Sequence, residues 1–177
     1  MRRFLDRLYL WSGALGATFI LLIAILMIAQ SLLREFGVRT GAVNDVVSWF
    51  CAAASFFAMP HAFKHGDFVR VTLILEKLNP TLRRYVELVC LLVACVSVGY
   101  LAFWANKFTY ESYLFNERAQ GLLPIPIWIP QSSFAIGSVL LWIAIVDEFI
   151  LVLNGHTPSY VAAVEERHAA GDFSSDV

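Results

Sequence analysis

The groups in this sequence best able to do chemistry are four histidines, three cysteines and the adjacent carboxylates Asp147 and Glu148 at the end of an apolar run. His61 and His65 flank the inner end of the second apolar run, while His156 and His168 fall in the polar tail. A membrane haem needs histidines paired across helices, and only His61 lies near membrane depth, so haem ligation is disfavoured. Pro60 beside it accounts for a local kink. Cys51, Cys90 and Cys95 all sit inside apolar runs, where a free thiol behaves as a small hydrophobe. They lack the close Cys or His partners of a zinc site, and an odd count argues against a disulfide framework. Asp147 and Glu148 fall near the inner membrane surface, where interfacial anchoring is the favoured role and pairing with Arg3, Arg7 or a partner subunit the alternative. No Ser-His-Asp set, His-Glu-x-x-His motif or phosphate-cradling glycine loop occurs. Enzyme activity therefore has no residues to rest on, and neither a cofactor nor a metal site is expected.

The elements that carry these groups are set by composition. Of 177 residues, 59% are hydrophobic and 15% charged, against about 45–50% and about 25% in soluble domains. The net charge of -1 gives no electrostatic reason to bind nucleic acid. Leu8 to Leu33 holds no charged residue, which exceeds a signal-peptide core and matches the roughly 20 residues needed to cross a bilayer. It reads as a retained helix. Val46–Phe63, Leu88–Asn106 and Leu122–Val146 are equally free of Asp, Glu, Lys and Arg. The fold class is thus an all-α integral membrane protein, with spans at about 8–33, 46–63, 85–107 and 128–150 in a membrane domain of residues 1–155. Residues 156–177 read as a cytoplasmic, largely disordered tail.

Lys and Arg resist translocation and so fix orientation. Arg2, Arg3, Arg7, Lys64, Arg70, Lys77, Arg83, Arg84 and Arg167 belong to one side, and Arg34, Arg39, Lys107 and Arg118 to the other. That asymmetry predicts both termini in the cytoplasm. Tyr9 and Trp11 mark the inner end of the first span; Trp49, Trp104 and Trp128 mark outer ends, and Trp142 returns to the inner face. Small residues, among them Ser12, Gly13, Gly16, Ala53 and Ala54, permit close approach of the first two helices.

Three connecting segments carry further information. Phe68, Val71, Leu75 and Leu78 recur at helical spacing, which predicts a short helix over about 67–78 in the inner interface, with Arg70, Lys77, Arg83 and Arg84 anchoring to phospholipid. Asn79-Pro80 is an N-cap followed by a first helical residue. Asn44-Asp45 likewise fits an N-cap for the second span, with negative charge at the positive end of the dipole. Between Gly121 and Pro130 the prolines alternate with apolar residues and favour an extended backbone. Such a segment must pack on protein or lie at headgroup level, with the fourth helix starting at about Pro130.

This layout resembles the small, DctQ-type permease subunit of tripartite ATP-independent periplasmic (TRAP) transporters. The resemblance rests on Asp45 before the second span, on His65-Gly66-Asp67-Phe68-Val69-Arg70-Val71 after it, and on Pro124-Ile125-Pro126-Ile127-Trp128-Ile129-Pro130-Gln131 before the fourth. The family more usually shows a glycine followed by His-x-x-Val-Asp, whereas here His65 precedes Gly66 and Thr72 replaces the acid. The resemblance implies a bacterial inner-membrane subunit that pairs with a large permease (M) subunit and works with a periplasmic substrate-binding protein. The large subunit would carry the sodium and substrate sites of an elevator-type symporter of organic acids, and the small one would act as scaffold. Asp45, His65, Asp67, Pro124, Pro126, Trp128 and Pro130 are then the candidate contacts to those partners. The competing expectation is a stand-alone membrane adaptor or assembly protein.

Overall fold

A computed structural model describes residues 2–38, 40–67 and 79–169. Apart from the proline-rich start of the last one, the apolar runs are helical, as a segment deprived of water must be to satisfy its own amides. The helices are α1 (Arg2–Glu35), α2 (Gly41–His65), α3 (Pro80–Leu114), α4 (Trp128–Leu153) and α5 (Ser159–Ala169). The first four are each long and apolar enough to cross a membrane. At 34 and 35 residues, α1 and α3 reach roughly 51 Å, well beyond a hydrocarbon core of about 30 Å. The predicted interfacial helix at about 67–78 lies, but for Asp67, outside the described residues, as do Arg70 and Lys77.

All four long helices stop in the same way. The residue after the last helical turn takes a left-handed backbone at Gly37, Gly66, Asn116 and Gly155, with φ of 74°, 75°, 51° and 81°. The paired bonds Asp67 N to Ala62 O (3.1 Å) and Gly66 N to Phe63 O (3.4 Å) close a Schellman motif at α2, and equivalent pairs close the others. Helix starts are less uniform. Helix α3 begins at Pro80 as expected, although the Asn79 side chain makes no capping bond. Helix α2 begins at Gly41, one turn ahead of the expected Asn44-Asp45 cap, and Thr40 stands at the cap position. Asn44 instead accepts from Gln30 Nε2 of α1 at 3.0 Å, and Asp45 accepts from Leu122, a residue distant in sequence.

Helix α1 packs antiparallel on α2, α3 packs antiparallel on α4, and a parallel contact between α2 and α4 joins the two pairs. The contacts run α1–α2–α4–α3, with little else between the long helices. Helix α4 is consequently the most enclosed: 44% of its most apolar stretch is buried, against 11% for α1 and 17% for α3. Small residues make the crossings close. A Cβ on Gly16 would stand 3.0 Å from the Ala54 carbonyl oxygen, and one on Gly137 would stand 2.6 Å from Phe56 Cβ. Aromatic edges fill the remaining gaps, as where Phe56 meets Phe134 edge-on at 4.4 Å between ring centroids. Trp142, expected at the inner face, sits instead at mid-helix, where Nε1 donates to Cys95 O of α3 at 3.1 Å over Gly99. An indole N–H at mid-membrane depth needs an acceptor even on a half-open face, and the bare Gly99 surface lets it reach one.

Residues 159–169 are helical where a disordered tail is expected. The apolar patch Tyr160–Val164 explains the difference, since Tyr160 is 3% exposed and shares a small core with Leu91 and Val152. A short helix that is marginal alone becomes stable when an apolar face is docked.

Candidate functional site

The long helices place polar side chains at two levels. One is the base, where α2 and α4 end; the other is the crown, where α2 and α4 begin.

At the base, Lys64 in the last turn of α2 reaches the two carboxylates of α4, Asp147 at 2.5 Å and Glu148 at 2.7 Å. Lys64 is 10% exposed and Glu148 fully buried, whereas Asp147 keeps 22% of its side chain open. That difference explains how one ammonium serves two acids. Glu148 has both oxygens bonded, Oε1 by Lys64 and Oε2 by the Ser159 amide at 2.9 Å, and the N-terminus of α5 adds its own positive end. Asp147 retains contact with the surroundings. The ammonium also lies 5.5 Å from the centroid of the Tyr9 ring of α1, a cation–π geometry in a site where Tyr9 is 1% exposed. Four helices thus converge on Lys64.

The cluster corrects the expected interfacial anchoring of Glu148, which is fully buried, and gives both acids Lys64 as partner in place of the alternatives Arg3 and Arg7. Arg7 is exposed, and the acids turn toward α2 because α2, not α1, is the neighbour of α4. Lys64 itself is absent from the predicted site residues. Its signal was a basic residue at the inner end of one span and two acids at the inner end of another.

Around this cluster lie the other base residues. His65 Nδ1 bonds to His61 O at 2.9 Å, and the two rings stand 4.0 Å apart, with His61 pressed against Gly13. Asp67 and the His65 carbonyl both accept from Arg167 of α5. Arg84 Nη2 donates to Val152 O and Leu153 O at 3.3 and 3.1 Å, capping the end of α4, and Arg83 stands 3.6 Å from Glu87 one turn on.

At the crown, the proline-rich segment is extended and paired with the chain just ahead of it. Ala119 N donates to Ile125 O at 2.9 Å and Ile127 N to Glu117 O at 3.0 Å, flanking an antiparallel bridge between Arg118 and Pro126. Pro126 occupies the position between the two bonded residues, where no N–H is called for. Pro124 is exposed at the turn. Trp128 opens α4, two residues before Pro130, and meets the Tyr113 ring edge-on at 5.6 Å. Asp45 holds this ledge to α2: its Oδ2 accepts the Leu122 amide at 3.0 Å, and Gly121 leaves no room for a side chain beside the carboxylate. Of the predicted site residues, Asp45 is thus brought to the ledge of Pro124–Pro130, while His65, Asp67, Arg83 and Arg84 gather at the opposite end. Among the described residues no group of three or more His, Cys, Asp or Glu side chains converges as a metal site would need.

Four spanning helices with charged groups bonded to one another at one end define a multi-pass membrane protein. The description of the DctQ component of tripartite ATP-independent periplasmic transporters matches residues 23–155, three-quarters of the chain, and the chain belongs to that family. It is a small membrane subunit of a TRAP transporter. Comparison with curated proteins gives no match.

The Lys64 cluster generates a prediction. Lys64→Met leaves Glu148 buried and uncompensated and should destabilise the protein by roughly 3–5 kcal/mol, read as a lower melting temperature in detergent. Lys64→Met combined with Asp147→Asn and Glu148→Gln removes the charges together and should regain most of that loss. Equal melting of Lys64→Met and the unaltered chain would contradict the assignment.

Proposed function

We propose that this chain is the stationary scaffold of its transporter, bracing a large permease partner that carries the moving parts. The observation that carries the reading is the disposition of polar groups. The helices contact in the order α1–α2–α4–α3, leaving α1 and α3 one long neighbour each and broad apolar faces uncovered. At the base Lys64 is meanwhile engaged with Asp147 and Glu148, and Arg167 with Asp67. A chain that lines an ion path keeps ionisable groups facing a water-filled interior; the Lys64 cluster closes on itself instead.

On this reading the partner carries the sodium and organic-acid sites, and a periplasmic binding protein delivers the substrate. Lys and Arg distribution supports cytoplasmic termini in a bacterial inner membrane, so the base is cytoplasmic and the crown periplasmic. Arg70, Lys77, Arg83 and Arg84 then lie at the inner headgroups, where each basic residue is worth about 1 kcal/mol against anionic lipid. The ledge from Pro124 to Pro130, with Leu122 71% and Ile129 47% exposed, is the surface offered to the binding protein or to the outer face of the permease. Its backbone pairing and the Asp45 bond give it a fixed shape, and a fixed shape lowers the ordering cost of a contact.

Mild-detergent purification should recover a stoichiometric, much larger hydrophobic partner, and a lone homo-oligomer would argue for a free-standing adaptor. Arg70→Glu with Lys77→Glu should cut uptake or partner recovery several-fold; transport and assembly at the unaltered level would remove lipid bracing from the account. Cysteines introduced at Ile127 and Ile129 should crosslink to the binding protein or the permease, and capture of neither would remove the ledge as a contact.

A further inference from the structure

Helix α5 follows directly on the family-matched range, which ends at residue 155. After Gly155 the chain reverses and lays this helix across the base, against the end of α2. Its first amide, Ser159 N, donates to the buried Glu148 of α4 at 2.9 Å. The next residue, Tyr160, packs among Leu91 of α3, Val152 of α4 and Phe63 of α2, its ring 5.9 Å from that of Phe63. Near its other end, Arg167 divides its guanidinium between two acceptors on α2 and its cap: Nη2 donates to His65 O at 2.6 Å and Nη1 to Asp67 Oδ1 at 2.9 Å.

The α2 cap is shaped for this visitor. A Cβ on Gly66 would stand 2.7 Å from Tyr160 O and 2.9 Å from Val164 Cγ2, so the left-handed glycine that ends α2 is also the only residue type that admits α5 at this distance. The dependence runs both ways. An eleven-residue helix has little stability alone, and Glu148, with no exposed surface, would lose a donor for Oε2 if α5 left.

We infer that α5 is a clasp that ties the base of α2 to α4 and fixes Asp67, the residue from which the segment leading to α3 departs. Arg167 is its positioning residue, and Glu148 is the seat on which the helix begins. The clasp deepens the scaffold reading, because a stationary subunit needs the exit of that segment held at one place, yet it concerns contacts within this chain alone.

Hydrogen exchange of residues 159–169 in the full-length chain, purified into lipid nanodiscs without partners, tests it. Arg167→Asp and Asp67→Arg should each speed exchange of α5 about tenfold, as expected for loss of a charge-assisted bond. The two together restore an ion pair of opposite polarity and should recover most, though not all, of the protection, since the bond to His65 O is not rebuilt. Glu166→Lys, a charge reversal at the neighbouring exposed residue, should leave exchange unchanged. Single variants that exchange like the unaltered chain, or a double variant no better protected than the singles, would overturn the clasp. Failure of the scaffold reading would show elsewhere, as purification without a large partner, and leaves this measurement intact.

Discussion

A charge taken out of water must find its opposite within reach, and the base of this protein is arranged around one such case. Lys64 neutralises the buried Glu148, and around that bond the ends of α2 and α4 are aligned side by side, Tyr9 of α1 closes over the ammonium, and α5 begins on the remaining carboxylate oxygen. Each participant touches a different helix, so the ion pair fixes angles between helices that apolar packing alone leaves free. Buried ion pairs contribute little net stability when compared with apolar replacements. Their contribution here is register: in lipid, helix against helix gains little from the hydrophobic effect, and a polar contact that cannot be satisfied elsewhere selects one arrangement.

The crown uses the same principle with neutral donors. Prolines without N–H groups occupy positions where none is needed, the neighbouring amides of Ala119 and Ile127 are paired, and the Leu122 amide goes to Asp45. Between crown and base the helices meet through small residues and aromatic edges, with Trp142 donating across to α3 as the polar link at mid-height. The result is a frame tied at both ends by polar bonds between helices, whose apolar faces remain open along the middle. On the scaffold reading, this surface and rigidity are what a larger partner would use.

The number of spans was legible because uninterrupted apolar runs leave helices as the one way to satisfy backbone amides. The extended proline ledge and the start of α3 at Pro80 were legible for equally local reasons. What stayed hidden concerns which helix faces which. Sequence gives the depth of Asp147 and Glu148 but not their azimuth, and nothing in it singles out Lys64; the parallel contact of α2 with α4 does. Asp45 was read as a local cap, yet it serves a segment 77 residues away. Trp142 was read by the aromatic-belt rule, which has no knowledge of Gly99 opposite it. Helix α5 was hidden because its eleven residues are stable only against a surface formed by three other helices.

That this protein serves as a frame and not as a conduit is tested most directly by reconstitution. Purified alone into proteoliposomes, it should give no accumulation of an organic acid under a sodium gradient, while co-reconstitution with its large partner and binding protein should give uptake. Accumulation by the isolated chain would contradict the account.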